Sequence, residues 1–173
     1  MGWLWIALAC TGKPSPSGAL LDSSDTCELC GAGCVDHEQP GSASHVEGEV
    51  AYDTIPPMGG DHNACWAEWG VHTEEVADEN WVHNLEHGGV VFLTNCPDGC
   101  EAEEGELSAY VSALGPTALL TPYPAMDVRF AAVSWGWRLL QDCLDMGAME
   151  TFYLNHVDQG PESSTSGPSD GCM

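Results

Sequence analysis

The chain has 173 residues, 43% of them apolar, a size and composition suited to one domain with tails. Three basic residues, Lys13, Arg129 and Arg138, stand against 27 acidic ones, giving a formal net charge of -24. A surface of that sign repels phosphate backbones and anionic headgroups, which argues against nucleic-acid binding and polybasic membrane docking, and it concentrates cations.

The first residues, Met1-Gly2-Trp3-Leu4-Trp5-Ile6-Ala7-Leu8-Ala9-Cys10, form an apolar run ending in small residues and a cysteine. This segment, residues 1–10, resembles a bacterial lipoprotein signal. It predicts export, with a lipid anchor on Cys10 holding the protein at the periplasmic or outer face of the cell envelope. No other apolar run approaches the roughly 18 residues needed to span a bilayer. Residues 11–44 are rich in Cys, Gly, Pro, Ser and acidic groups, lack apolar periodicity and read as a tether. With Cys10 set aside, Cys27, Cys30, Cys34, Cys65, Cys96, Cys100, Cys143 and Cys172 remain, an even number that points to disulfides behind an export signal. Cys96-Pro97-Asp98-Gly99-Cys100 encloses a turn and is the expected local bridge, whereas Cys27, Cys30 and Cys34 either pair elsewhere or bind metal.

Order is expected from His45 to residue 160. In the segment 45–52, Val46, Val50 and Tyr52 share a parity that suits a half-buried strand. Ile55-Pro56-Pro57-Met58-Gly59-Gly60-Asp61-His62 is a shaped loop, because two prolines and two glycines preclude regular structure. Asp78 is placed to cap a helix over 79–87 with Gly88 as its stop and Val90 to Thr94 following as a buried strand; an extended reading of 81–94 is the alternative. Leu107, Tyr110, Val111 and Leu114 fall at helical spacing over 103–114, with glutamates in the first turn and Gly115-Pro116 at the end. Residues 118–123 read as a strand. Residues 128–140 read as a longer strand carrying Val133, Trp135, Trp137 and Leu139 on one face and pairing antiparallel with it. A last helix over 146–157 aligns Met149, Phe152, Tyr153 and Val157, and residues 161–173 are polar and expected to be disordered. The order predicts an α+β domain: a small, mostly antiparallel sheet with two or three helices packed on one side.

The segment Trp81-Val82-His83-Asn84-Leu85-Glu86-His87-Gly88-Gly89 puts two imidazoles and a carboxylate within five residues. Histidines four apart share a face of a helix, and neutral imidazole is a good ligand for zinc and copper. His62, in the shaped loop, is the expected third nitrogen ligand beside His83 and His87, with Glu86 as a further ligand or hydrogen-bonding partner. Met58 or Met126 could add soft sulfur for cuprous ion. His37, His45 and His72 are expected at the surface, and the tryptophans in the core.

Taken with Trp69-Gly70-Val71, Leu120-Thr121-Pro122-Tyr123-Pro124 and Ala132-Val133-Ser134-Trp135-Gly136, these motifs resemble, over roughly residues 46–162, the bacterial domain of unknown function 3105 family (DUF3105). That family usually carries a Pro-Pro-Thr-Ser-Gly-Pro-His-like loop; here Met58, Gly59, Gly60 and Asp61 occupy it and the histidine is kept as His62. The resemblance implies an exported or membrane-attached protein and names no activity.

The expected function is therefore that of a cell-envelope lipoprotein whose soluble domain binds a transition metal, copper or zinc, for handling or sensing rather than catalysis. Its partners are the metal ion and, through the lipid anchor, the membrane. A zinc-dependent hydrolase with Glu86 polarising water is the second reading, since His-x-x-Glu-His also matches the inverted zinc-peptidase motif. A disulfide-stapled interaction module without metal is the third.

Overall fold

The computed structural model describes residues 27–163. Cys10, Cys172, the lipoprotein-like segment, residues 11–26 of the tether and the tail from residue 164 lie outside the described residues. Among the described residues, no helix is long and apolar enough to cross a membrane.

The fold is α+β. Strands β1 (Cys34–His37), β2 (Gly70–Val71), β3 (Val90–Thr94), β4 (Ala118–Pro122), β5 (Phe130–Ser134) and β6 (Trp137–Gln141) form one sheet in the order β1-β6-β5-β3-β4-β2. Helices α1 (Asp78–Glu86), α2 (Glu101–Leu114) and α3 (Met146–His156) complete it. The sheet is mixed: β1/β6, β5/β6 and β3/β5 are antiparallel, whereas β4 runs parallel to both β3 and β2. The parallel pair corrects the expected pairing of β4 with the strand after it. Helix α2 joins β3 to β4, and such a helical crossover is the connection that parallel neighbours require.

The helices cover both faces, not one. Trp81, Val82 and Leu85 of α1 pack with Val91, Leu93, Leu119, Ala131 and Val133. On the opposite face Leu107 and Val111 of α2 and Met149, Phe152 and Tyr153 of α3 pack with Val90, Phe92, Leu120, Phe130 and Ala132. The alternation of β3 and β5 residues between the clusters follows from the two-residue period of a strand. Strand β3, buried throughout, reads as a continuous apolar run because neither face meets water.

The expected long strand over 128–140 is instead the hairpin β5–β6, turning at Trp135-Gly136. Gly136 has φ +80, a conformation open to glycine, and a Cβ there would lie 2.9 Å from the Glu38 carbonyl oxygen. The turn moves Trp137 and Leu139 to the α2/α3 face while Val133 and Trp135 keep to the α1 face.

Residues 45–52 form no strand, only an isolated parallel bridge between His45 and His62. Gly48, at φ +90, breaks the extended run, and the Val50 N–H is taken by the Glu79 carboxylate at 2.8 Å. Within the stretch read as a tether, Cys34–His37 pairs with β6, the Cys30–Cys143 disulfide ties it to the domain, and Cys27–Cys34 closes a short loop inside it. Cys96–Cys100 forms the expected local bridge, and Cys65 is disulfide-bonded as well.

Candidate metal centre

Helix α1 has to present polar side chains from an otherwise buried element. Its apolar residues Trp81, Val82 and Leu85 face the sheet, while His83 and Glu86, three apart, share the opposite edge. The helix begins at Asp78, whose carboxylate accepts from the Tyr123 hydroxyl at 2.8 Å; Ala77, not Asp78, occupies the cap position. It ends at Glu86, with His87 as C-cap and Gly88 at φ +84, the left-handed stop expected from sequence. Gly89 then passes so close to the Trp69 ring that a Cβ there would run into it.

Three side chains of α1 hold the preceding loop against it. Asn84, fully buried, donates to the Ala67 carbonyl and accepts from the Ala67 N–H, both at 3.0 Å. Asn80 donates to the Cys65 carbonyl at 2.6 Å, and the His83 Nδ1–H donates to the Asn63 carbonyl at 2.8 Å. This zipper brings His62 over the helix. The bridge to His45 adds another histidine: Val46 N–H donates to the His62 carbonyl at 2.8 Å and His62 N–H to the Ser44 carbonyl at 3.1 Å.

The result is a group of four possible ligands, His45, His62, His83 and Glu86, whose donor atoms all lie within 4.8 Å of one another. Glu86 Oε2 is 3.1 Å from His62 Nε2, 3.8 Å from His83 Nε2 and 4.0 Å from His45 Nε2. Around a tetrahedral zinc ion, ligand atoms about 2.0–2.2 Å from the metal lie roughly 3.4 Å apart, so these spacings bracket what an ion needs.

The hydrogen bonds outside the group decide its chemistry. Carbonyl oxygen only accepts, so the Nδ1 of His62, 2.8 Å from the Gly60 carbonyl, and the Nδ1 of His83 both carry hydrogen. In the neutral rings that leaves a lone pair on each Nε2, aimed inward. Burial pushes the His83 imidazole down to about 4, with the neighbouring histidines adding to the depression against the Asn63 bond, so this ring is neutral at ordinary pH. His62 is fully buried, and its Nε2 has no hydrogen-bond partner among the described residues. Glu86 is 3% exposed, and no N–H or O–H among the described residues hydrogen-bonds its carboxylate. With both rings neutral, lone pairs converge on a carboxylate. A proton on one imidazole relieves one of these approaches; a divalent cation relieves all of them.

Of the residues expected at the site, His62, His83 and Glu86 come together. His87 stands outside the four-ligand group but against it, its Nε2 3.1 Å from His83 Nε2 and its ring stacked on that of His83 at 4.9 Å. His45, expected at the surface, is solvent-exposed yet reaches the group. Met58 and Met126 are buried in the apolar cluster beneath α1, where they fill core space. Trp66 walls the site, its ring 5.2 Å from His83 and 4.2 Å from His87.

The family model described as Protein of unknown function (DUF3105) matches residues 45–168. His45 is the first residue of the match. No curated protein and no solved structure matches the chain.

Proposed function

The chain belongs to the DUF3105 family, and from that premise we propose that it is an exported, lipid-anchored cell-envelope protein whose domain binds a transition metal through His45, His62, His83 and Glu86. The observation that carries this reading is the Glu86 carboxylate, buried without a hydrogen-bond donor among the described residues unless an imidazole is protonated, and faced by His62 and His83, whose outward Nδ1 hydrogen bonds leave Nε2 of each neutral ring turned inward. Metal-bound histidines are commonly held this way, with the second ring nitrogen donating to a carbonyl. Three imidazoles and one carboxylate suit zinc or cupric ion. Glu86 sits among the ligands rather than beside them, which favours metal handling over hydrolysis. Export is supported by Cys27–Cys34, Cys30–Cys143 and Cys96–Cys100, since disulfides persist in oxidising compartments. Cys10 supplies the anchor.

The test is calorimetric titration of chelator-treated, oxidised, untagged full-length protein with zinc and cupric ions. Binding is expected in the parent and its loss in His62→Ala and His83→Ala variants that keep the parent's circular dichroism. A folded parent that takes up neither ion would overturn the reading and leave a disulfide-stapled interaction module.

A further inference from the structure

We propose that the centre is dinuclear: a second divalent cation is held by Glu86, His87 and Glu162, and the Glu86 carboxylate bridges the two ions. The inference rests on the metal-binding reading above. Each of these three residues offers a ligand atom within 4.8 Å of the other two, and Glu86 belongs to both groups.

The chain after α3 is shaped to deliver Glu162. Asp158 N–H donates to the Gly88 carbonyl at 2.8 Å and Glu162 N–H to the Glu86 carbonyl at 3.1 Å. Between them Gly160 presses onto the end of α1, where a Cβ would meet the backbone of Leu85, Glu86 and Gly88. The packing thus sets Glu162 next to the buried carboxylate of Glu86. Two carboxylates that close repel unless a proton or a cation lies between them. No basic side chain does so: among the described residues Arg129 pairs with Glu103 and Arg138 with Asp36.

His87 shows the same deficit. Among the described residues its Nδ1 is buried with no hydrogen-bond partner, and its Nε2 faces the lone pair of His83 Nε2 at 3.1 Å. Once a first ion occupies His83 Nε2, the His87 ring loses that acceptor too. A second ion on His87 Nε2, with the ring proton on Nδ1, takes the place of that lost partner and neutralises both glutamates. Carboxylates bridge ions about 3.5–4 Å apart in two-metal sites, and the 3.1 Å between the two Nε2 atoms suits ligands of neighbouring ions. Two carboxylates and one imidazole make this position harder and more exposed than the first, which suits zinc or manganous ion and weaker binding.

The experiment is equilibrium dialysis of the full-length, untagged protein against zinc at high ionic strength, which screens the acidic surface, with a parallel cupric loading read by electron paramagnetic resonance. The parent is expected to hold two ions per chain and to show a magnetically coupled cupric pair; Glu162→Gln and His87→Ala should each hold one, with an uncoupled signal. Saturation of the parent at one ion overturns the second site and leaves the first. Variants that keep two ions, or a His87→Ala variant that keeps none, overturn the ligand assignment. A parent without metal overturns both readings.

Discussion

Glu86 separates a metal centre from an ordinary ion pair, because the two arrangements respond oppositely to neutralising it. If its charge were held by an imidazolium, Glu86→Gln would leave a buried cation without its partner and destabilise the metal-free protein by about 3 kcal/mol. With lone pairs facing it, an amide N–H can instead donate to one imidazole, so the metal-free variant is expected to be about 1 kcal/mol more stable than the parent while losing metal affinity. Urea unfolding in the presence of chelator reads the sign. Asp78 and His83 make a second test. Burial raises the Asp78 carboxyl to about 6 from 3.8, even against the Tyr123 hydrogen bond, and lowers His83 to about 4 from 6.5. Between 3.8 and 6 the folded chain keeps an Asp78 proton that the unfolded chain has lost, so that contribution fades as pH rises through about 6. His83 works the other way: the unfolded chain gains its proton first, and stability is lost as pH falls from 6.5 towards 4. Removing the first contribution with Asp78→Asn should make the variant's stability relative to the parent grow as pH rises from 4 to 7 in metal-free protein. A pH-independent difference contradicts the Asp78 assignment. At this scale His62, His83 and Glu86 were legible, since two lie in one helical turn and one in a loop that the glycines and prolines mark. His45 was not, because nothing in its neighbours announces it and only the backbone bridge to His62 brings it in.

Helix α1 and the segments laid over it are the elements on which the site depends. Gly89 is expected to tolerate no side chain: Gly89→Ala drives a methyl into the Trp69 ring, and overpacking of this kind costs about 1–3 kcal/mol, which a shifted thermal midpoint would show. Strand β1 depends on a different constraint. The Cys30–Cys143 bridge closes a sequence separation of 113, so a Cys30→Ser/Cys143→Ser variant should lose about 4 kcal/mol. Chemical denaturation measures the loss, and an unchanged midpoint would mean that pairing with β6 alone holds the strand. The helices and β3 and β4 could be read from periodicity, glycine stops and apolar runs. The hairpin could not, because Trp135 and Trp137 keep strand parity through a turn that only the conformation of Gly136 reveals. The sequence 45–52 failed for the converse reason: its alternation suits a strand, yet its backbone groups find partners in Glu79 and His62 rather than a neighbouring strand.

For the whole molecule the charge of -24 has its own consequence. Arg129 and Arg138 are already committed to Glu103 and Asp36, so the field around the domain is that of uncompensated carboxylates. Cation association should therefore be electrostatically steered, with an on-rate that falls as salt is added while the release rate changes little. The three-layer arrangement was partly hidden from sequence: α+β followed from element order, but two helices on one face and one on the other depends on which strand faces each apolar stripe. The central claim is that His45, His62, His83 and Glu86 hold a metal. Elemental analysis of untagged, full-length protein beside a His62→Ala/His83→Ala variant tests it most directly. The account predicts stoichiometric zinc or copper in the parent and none in a folded variant; equal metal content in the two proteins, or none in either after exposure to both ions, would contradict it.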